Sequence, residues 1–288
     1  MVLSTGHEGR APGEADADAA PTHSGRAVVW HDLECGSYTV DLPLWRELAR
    51  SPSGDDAAGS KAGSPAAVLE IGAGTGRVAL ELARHGHRVT ALDLDAELLA
   101  ALRERAADIP GAILETVRAD ARTFTLARSD FPVCLAPMQT IQLLGGSAGR
   151  LAFLRRARAH LAPGGVLACA ITVELEPFDC AAGDAGPSPE IARVAGATWV
   201  SRTTRVHVNR HTVRIERVRS VVPGTHSEAP SGERPARPAR EHDIVELDRV
   251  SVAQLQREGR EAGLKSAGTR AIAPTDEHVG SVAVMFSV

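Results

Sequence analysis

The sequence predicts an α/β protein: a doubly wound, mainly parallel seven-stranded sheet carrying an inserted small antiparallel sheet. Three observations lead there. Between Val68 and Val173 short apolar runs of strand length alternate with helical patterns, as crossover units of a sheet buried on both faces require. From Trp199 to Val222 the rhythm changes to period two, the mark of an antiparallel hairpin with one covered face. A length of 288 residues suits one large α/β domain with an insertion.

Taken in chain order, residues 1–25 are Ala, Gly, Pro and acid with almost no large apolar side chain, so they cannot offset the entropy of ordering and are expected to be disordered. The segment 26–174 should hold an N-terminal helix and the α/β core. In Asp41–Ala49 an Asp that can cap and a Pro in the first turn precede Leu44, Trp45 and Leu48 at helical spacing. Ser51–Pro65 reads as a solvated linker. Strands are expected at 68–71, 87–92, 114–118, 133–136 and 166–173, and helices at 77–85, 95–106 (capped by Asp95) and 148–161, the last ended by Pro163-Gly164-Gly165. Phe131-Pro132 removes a backbone donor, so the fourth strand should begin late. The insertion, 175–250, should contain the hairpin 199–208 and 212–222 around Asn209–His211, a flexible Pro-rich loop 223–241 and a third strand 244–250. The segment 251–288 should close the core, with a helix to Glu261 begun by the capping pair Ser251 and Gln254, then strands 264–272 and 278–288.

Composition narrows the function. Net charge is −4 and no basic block occurs, so the footprint of nucleic-acid or membrane-surface binding is missing. The longest apolar stretch, 166–173, falls far short of the ~20 residues of a membrane helix. The N-terminus lacks the basic and apolar regions of a signal peptide, which points to a cytoplasmic protein. Cys35, Cys134, Cys169 and Cys180 are far apart and read as reduced thiols, and no His/Cys spacing suits a metal.

The informative stretch is Val68-Leu-Glu-Ile-Gly-Ala-Gly-Thr-Gly-Arg77, a strand running into a glycine turn and a helix. Gly72 and Gly74 let the chain bend and leave room for a ligand against the main chain, while the helix start offers free N–H groups. The dinucleotide fingerprint GxGxxG needs a third Gly where this chain has Arg77, which argues against NAD. Glu70, two residues before the first Gly, suits a ligand bearing an amino group.

The stretch resembles the first motif of the class I S-adenosylmethionine-dependent methyltransferases, E/D-x-G-x-G-x-G, through Glu70, Gly72, Gly74 and Gly76. The resemblance implies the Rossmann-like methyltransferase fold and S-adenosyl-L-methionine as cofactor. It places Glu70 and the loop, with Ala73, at the amino-acid part of the cofactor, Asp93 at the ribose hydroxyls and Leu94 beside the adenine. It further places Asp120 at the adenine amino group, with Ala121 reading the ring, and Pro137-Met138-Gln139-Thr140 along the transfer site. A carboxylate suits Asp93's task because it accepts from two adjacent hydroxyls. The Asn/Asp-Pro-Pro-aromatic signature of DNA-base amine methylation is absent, since Met138 and Gln139 follow Pro137.

The implied reaction is N- or O-methylation of a small molecule. The candidates for contact with the acceptor are His31, with Asp32 and Glu34, in the segment before the first helix; His278, with Glu277, before the last strand; and Gln139. Tyr38, the single tyrosine, is expected to close over the cofactor. Glu174, Glu176 and Asp179 would form an acidic mouth that suits an amine, and the insertion would roof the acceptor pocket or serve as a homodimer surface. Two other readings stay open on these residues: a non-catalytic cofactor-binding or interaction module, and an NAD-linked oxidoreductase.

Overall fold

A computed structural model describes residues 23–50, 66–224, 239–275 and 278–288. The expected tail up to residue 22, the linker 51–65, most of the expected Pro-rich loop and Glu277 lie outside the described residues. The elements run α1 (His23–Cys35), α2 (Leu42–Arg50), β1 (Ala67–Ile71), α3 (Arg77–Arg84), β2 (Arg88–Asp93), α4 (Ala96–Ala107), β3 (Ile113–Arg118), β4 (Phe131–Ala136), α5 (Gly146–His160) and β5 (Leu161–Ile171). The insertion contributes β6 (Phe178–Asp179), β7 (Glu190–Val194), β8 (Ala197–Val208), β9 (Thr212–Pro223) and β10 (Ala239–Asp248); α6 (Val252–Glu261), β11 (Lys265–Ile272) and β12 (Ser281–Ser287) complete the chain.

The main sheet has seven strands in the order β11-β12-β5-β4-β1-β2-β3. β1 to β5 pair in parallel, and β12 enters antiparallel between β5 and β11. Because strand side chains alternate, neighbouring residues feed opposite faces. Leu69, Cys134 and Leu167 pack with Phe153 and Leu154 of α5, Leu255 of α6 and Phe286. Val68, Leu135 and Ala168 pack with Trp45 of α2, Val78 and Leu82 of α3 and Leu99 and Leu102 of α4. Each large side chain so buried contributes about 1.5–3 kcal/mol. A Cβ at Gly259 would sit 2.2 Å from Phe286, so α6 needs glycine there to approach the sheet.

The second sheet runs β10-β9-β8-β6, with β7 also on β8. Its end is fastened to the core by buried Arg150 of α5, which donates to both carboxylate oxygens of Glu258 and to Asp248 Oδ2, all at 2.8 Å.

Several expectations are corrected. His31, Asp32 and Glu34 lie within a helix, α1, that the sequence did not signal. Trp30 and Glu34, one turn apart, face the second sheet: Trp30 meets Trp199 edge-on at 4.7 Å, and Glu34 takes Ser201 Oγ and the Arg219 guanidinium. β4 begins at Phe131, and Pro132 falls where the register against β5 shifts; Leu161 and Val166 oppose Phe131 and Val133, so Pro163-Gly164-Gly165 is a bulge inside β5. β6 and β7 were not foreseen, and β10 starts before Ile244. The Asp41 carboxylate takes Trp45 Nε1 at 2.7 Å and a two-pronged bond from Arg77.

Candidate active site

The strand order reverses between β1 and β4, and there the carboxyl ends of open α/β sheets form a crevice. A cavity of about 1950 Å³ opens at that point, floored by the ends of β1, β2 and β4, walled by α1 and the segment before β12, and roofed by the second sheet.

Its floor begins with the turn after β1. Gly72, Gly74 and Gly76 have φ of 71°, 53° and 97°, values that disfavour side chains. Gly72 and Ala73 donate to the Leu92 carbonyl at 2.8 and 3.1 Å, which pins the turn beside β2. Cβ atoms at Gly72 and Gly74 would strike Thr140 at 2.6 Å and His31 Nε2 at 2.3 Å. His31 therefore lies directly on the turn: its Nδ1 is 3.1 Å from Thr75 Oγ1, and Thr75 in turn donates to Asp32 Oδ1 at 2.7 Å. Arg105 of α4 donates to both Asp32 oxygens, fastening α1 over the turn. Burial lowers the His31 pKa, against the pull of Asp32 and Asp93.

Glu70, in β1 just before the turn, lines the cavity and is 2% exposed. Its Oε2 is buried with no hydrogen-bond partner among the described residues, and burial pushes its pKa from 4.5 to about 8 despite nearby Arg77. An ammonium group settling there would supply the missing donor and charge, so the donor set fits an amino-bearing ligand. Asp93, at the end of β2, accepts from Gly74 N–H at 2.8 Å through Oδ2 and from Asp95 N–H at 2.9 Å through Oδ1. Each oxygen keeps a second lone pair for a ligand hydroxyl. Asp95 caps α4, accepting from the Glu97 and Leu98 N–H groups.

The remaining floor residues are brought together as well. Leu94, 64% exposed, projects into the cavity, as do Ala121 and Pro137. Asp120 is gripped by Arg122, whose Nε and Nη2 donate to its carboxylate and lower its pKa; sequence reasoning did not foresee that partner. Gln139 donates to Thr172 Oγ1 at 2.8 Å. Tyr38 is buried, its hydroxyl 3.4 Å from Ser281 Oγ, and the His278 ring stands 5.0 Å from its ring. Glu174 and Glu176 line the cavity, but Asp179 does not: it pairs with Arg205 and caps the turn at Ala181. Glu190 and Arg217, on the roof, were missed because strand pairing, not local spacing, brings them in.

A roomy crevice with a glycine turn and carboxyls at the ends of its first two strands marks a ligand-binding α/β domain. Residues 68–165 match a family model described as a methyltransferase domain. Three solved structures share the fold: DesVI from Streptomyces venezuelae (18% identity, TM-score 0.62, covering 92% of this chain and 99% of that one); S-adenosylmethionine-bound CalS10, an amino pentose methyltransferase from Micromonospora echinaspora involved in calicheamicin biosynthesis (22%, 0.60, 89% and 94%); and the sugar N-methyltransferase KedS8 from Streptoalloteichus (17%, 0.61, 99% and 98%). No curated protein sequence matches significantly. Residues 68–165 therefore carry a methyltransferase domain, and the chain as a whole shares its fold with these methyltransferases.

Proposed function

We propose that the chain binds S-adenosylmethionine on the glycine turn and transfers its methyl group to an amine of a small molecule, of which an amino sugar is the best-supported class. The observation that carries this reading is buried Glu70, whose unpartnered Oε2 and pKa of about 8 await an ammonium at the turn. In this reading Glu70 holds the amino group, Asp93 the ribose hydroxyls, and Leu94 and Ala121 the adenine, with Asp120 turned from Arg122 to the adenine amino group. Tyr38 and His31 cover the turn and exclude water. Amine transfer is favoured by the carboxyls Glu174 and Glu176 at the cavity wall, and by structural neighbours described as sugar and amino pentose methyltransferases.

The bound cofactor supplies a methyl group already activated on a sulfonium. The chain's part is therefore mainly positioning, which can contribute on the order of 7 kcal/mol or more. His278, beside Tyr38 on the cavity wall, is placed to accept a proton from an arriving amine. Gln139, held by Thr172, is placed to orient the acceptor at the end of β4. The test is transfer of label from methyl-labelled S-adenosylmethionine to aminodeoxyhexosides. Labelled N-methyl product is expected, and binding of S-adenosylhomocysteine without transfer to any amine or hydroxyl acceptor would favour a non-catalytic module.

A further inference from the structure

The cavity is larger than its cofactor requires. Single-ligand sites span about 300–1000 Å³, whereas this one measures about 1950 Å³, so it has room for an acceptor of comparable size beside the cofactor. Apolar groups gather at the same place. Of the eight large apolar side chains that are exposed among the described residues, Leu94, Leu143, Val173, Ile191 and Val279 line this cavity. Exposed apolar surface concentrated around one opening marks a binding face.

The roof is divided. Toward one end, the cross-strand rows Val206, Ile215, Val245 and Val208, Val213, Leu247 make it apolar. Toward the other, Glu190 lies opposite Ser201, Ser201 opposite Arg219, and Thr203 opposite Arg217, which faces Asp243. The charges in this polar half do not balance. Arg219 donates to both Glu34 oxygens at 2.7 and 2.6 Å and stands 2.9 Å from Asp243. Arg217 is 3.7 Å from Asp243, and Arg26 is 3.4 Å from Glu241. Among the described residues three guanidiniums thus stand against four carboxyls, and Glu190, half-buried on the cavity surface and hydrogen-bonded to the Ser201 hydroxyl, is the one that makes no ion pair.

We infer that this polar half of the roof is the subsite for the acceptor's amine, and that Glu190 selects an acceptor that carries an ammonium group, with the apolar half taking an apolar portion of the same molecule. The inference deepens the amine reading given above and rests on it. Burial raises the Glu190 pKa with the help of Glu34, and outweighs the opposing pull of Arg217 and of the Ser201 hydrogen bond. A cation beside Glu190 relieves that condition, whereas a neutral hydroxyl does not. Cys35, which ends α1 near these groups, has a thiol pushed up to about 11 by burial and adds no charge.

The test uses chain saturated with S-adenosylhomocysteine and titrated calorimetrically with the para-nitrophenyl glycoside of an aminodeoxyhexose and with that of the corresponding hexose. The wild-type chain should prefer the amine by about tenfold or more, the scale of one charge-assisted hydrogen bond. Glu190→Gln should erase the preference, Glu190→Asp should keep part of it, and neither should change the affinity for the hexose glycoside or for S-adenosylhomocysteine. An unchanged preference in Glu190→Gln, or no preference in the wild type, overturns the assignment of Glu190 and leaves the cofactor reading intact. A wild-type chain that takes up no S-adenosylhomocysteine overturns the reading beneath it, and this one with it.

Discussion

Replacing Glu70 by Gln tests the cofactor cradle by two independent routes. In the free chain the carboxyl has a pKa of about 8 against an ordinary 4.5. Below pH 4.5 it is protonated in both the folded and the unfolded chain and costs nothing. As pH rises the unfolded chain loses the proton first, so stability falls between pH 4.5 and about 8, by about 3 kcal/mol at pH 7. Glu70→Gln removes that penalty, and the free variant should melt higher than the wild type at pH 8 but not at pH 4.5.

Ligand binding gives the opposite sign. With a pKa of about 8, some nine-tenths of Glu70 is protonated at pH 7 in the free chain. An ammonium beside it stabilises the charged form, so binding of S-adenosylhomocysteine should release close to one proton at that pH. Calorimetry in buffers of different ionisation enthalpy reads this directly. The wild type should show about one proton released, and Glu70→Gln should show none while losing on the order of ten- to hundredfold in affinity. Equal affinity in the two proteins, or no proton release in the wild type, would refute the reasoning.

Other outcomes follow from the same geometry. Asp93→Ala removes the acceptor at the end of β2 and should weaken S-adenosylhomocysteine by at least about tenfold in calorimetry, an effect that Asp95→Ala, which removes only a helix cap, should not share. Gly74→Ala forces a side chain into a φ of 53° and against His31, so it should lower both the melting temperature and ligand affinity. Arg150→Met leaves Glu258 and Asp248 without their partner and should destabilise the chain by about 3–5 kcal/mol in urea unfolding, a cost that a neutral result would deny. Asp32→Ala removes the bonds of α1 to Arg105 and one of its two to Thr75, so proteolytic cleavage within 23–35 should speed up and then slow again on adding S-adenosylhomocysteine.

The legible parts of this protein were those specified by local pattern. The strand-turn-helix at Val68–Arg77, the cap at Asp95 and the hairpin around Asn209–His211 each declare themselves within about ten residues, because turn and capping chemistry is local. α1 does not. His23–Cys35 mixes Trp30, His31, Asp32 and Glu34 without a clean apolar stripe, because one face of the helix meets the glycine turn and the other meets the second sheet, and both contacts are polar in part. Pro132 misled for a related reason: its missing donor was read as a late strand start, whereas a bulge in β5 absorbs it. Arg122 on Asp120 and Arg77 on Asp41 show how easily a lone acid invites a ligand or capping role when a basic partner is in reach of it. Glu190 carried no local signal at all, since its place on the roof depends on pairing with Ser201.

The most direct measurement is side-by-side titration of the intact chain with S-adenosylhomocysteine and with nicotinamide dinucleotide. Saturable uptake of the first alone, abolished by Glu70→Gln together with Asp93→Ala, is the predicted result; uptake of the dinucleotide, or uptake of S-adenosylhomocysteine that survives the double replacement, would contradict it.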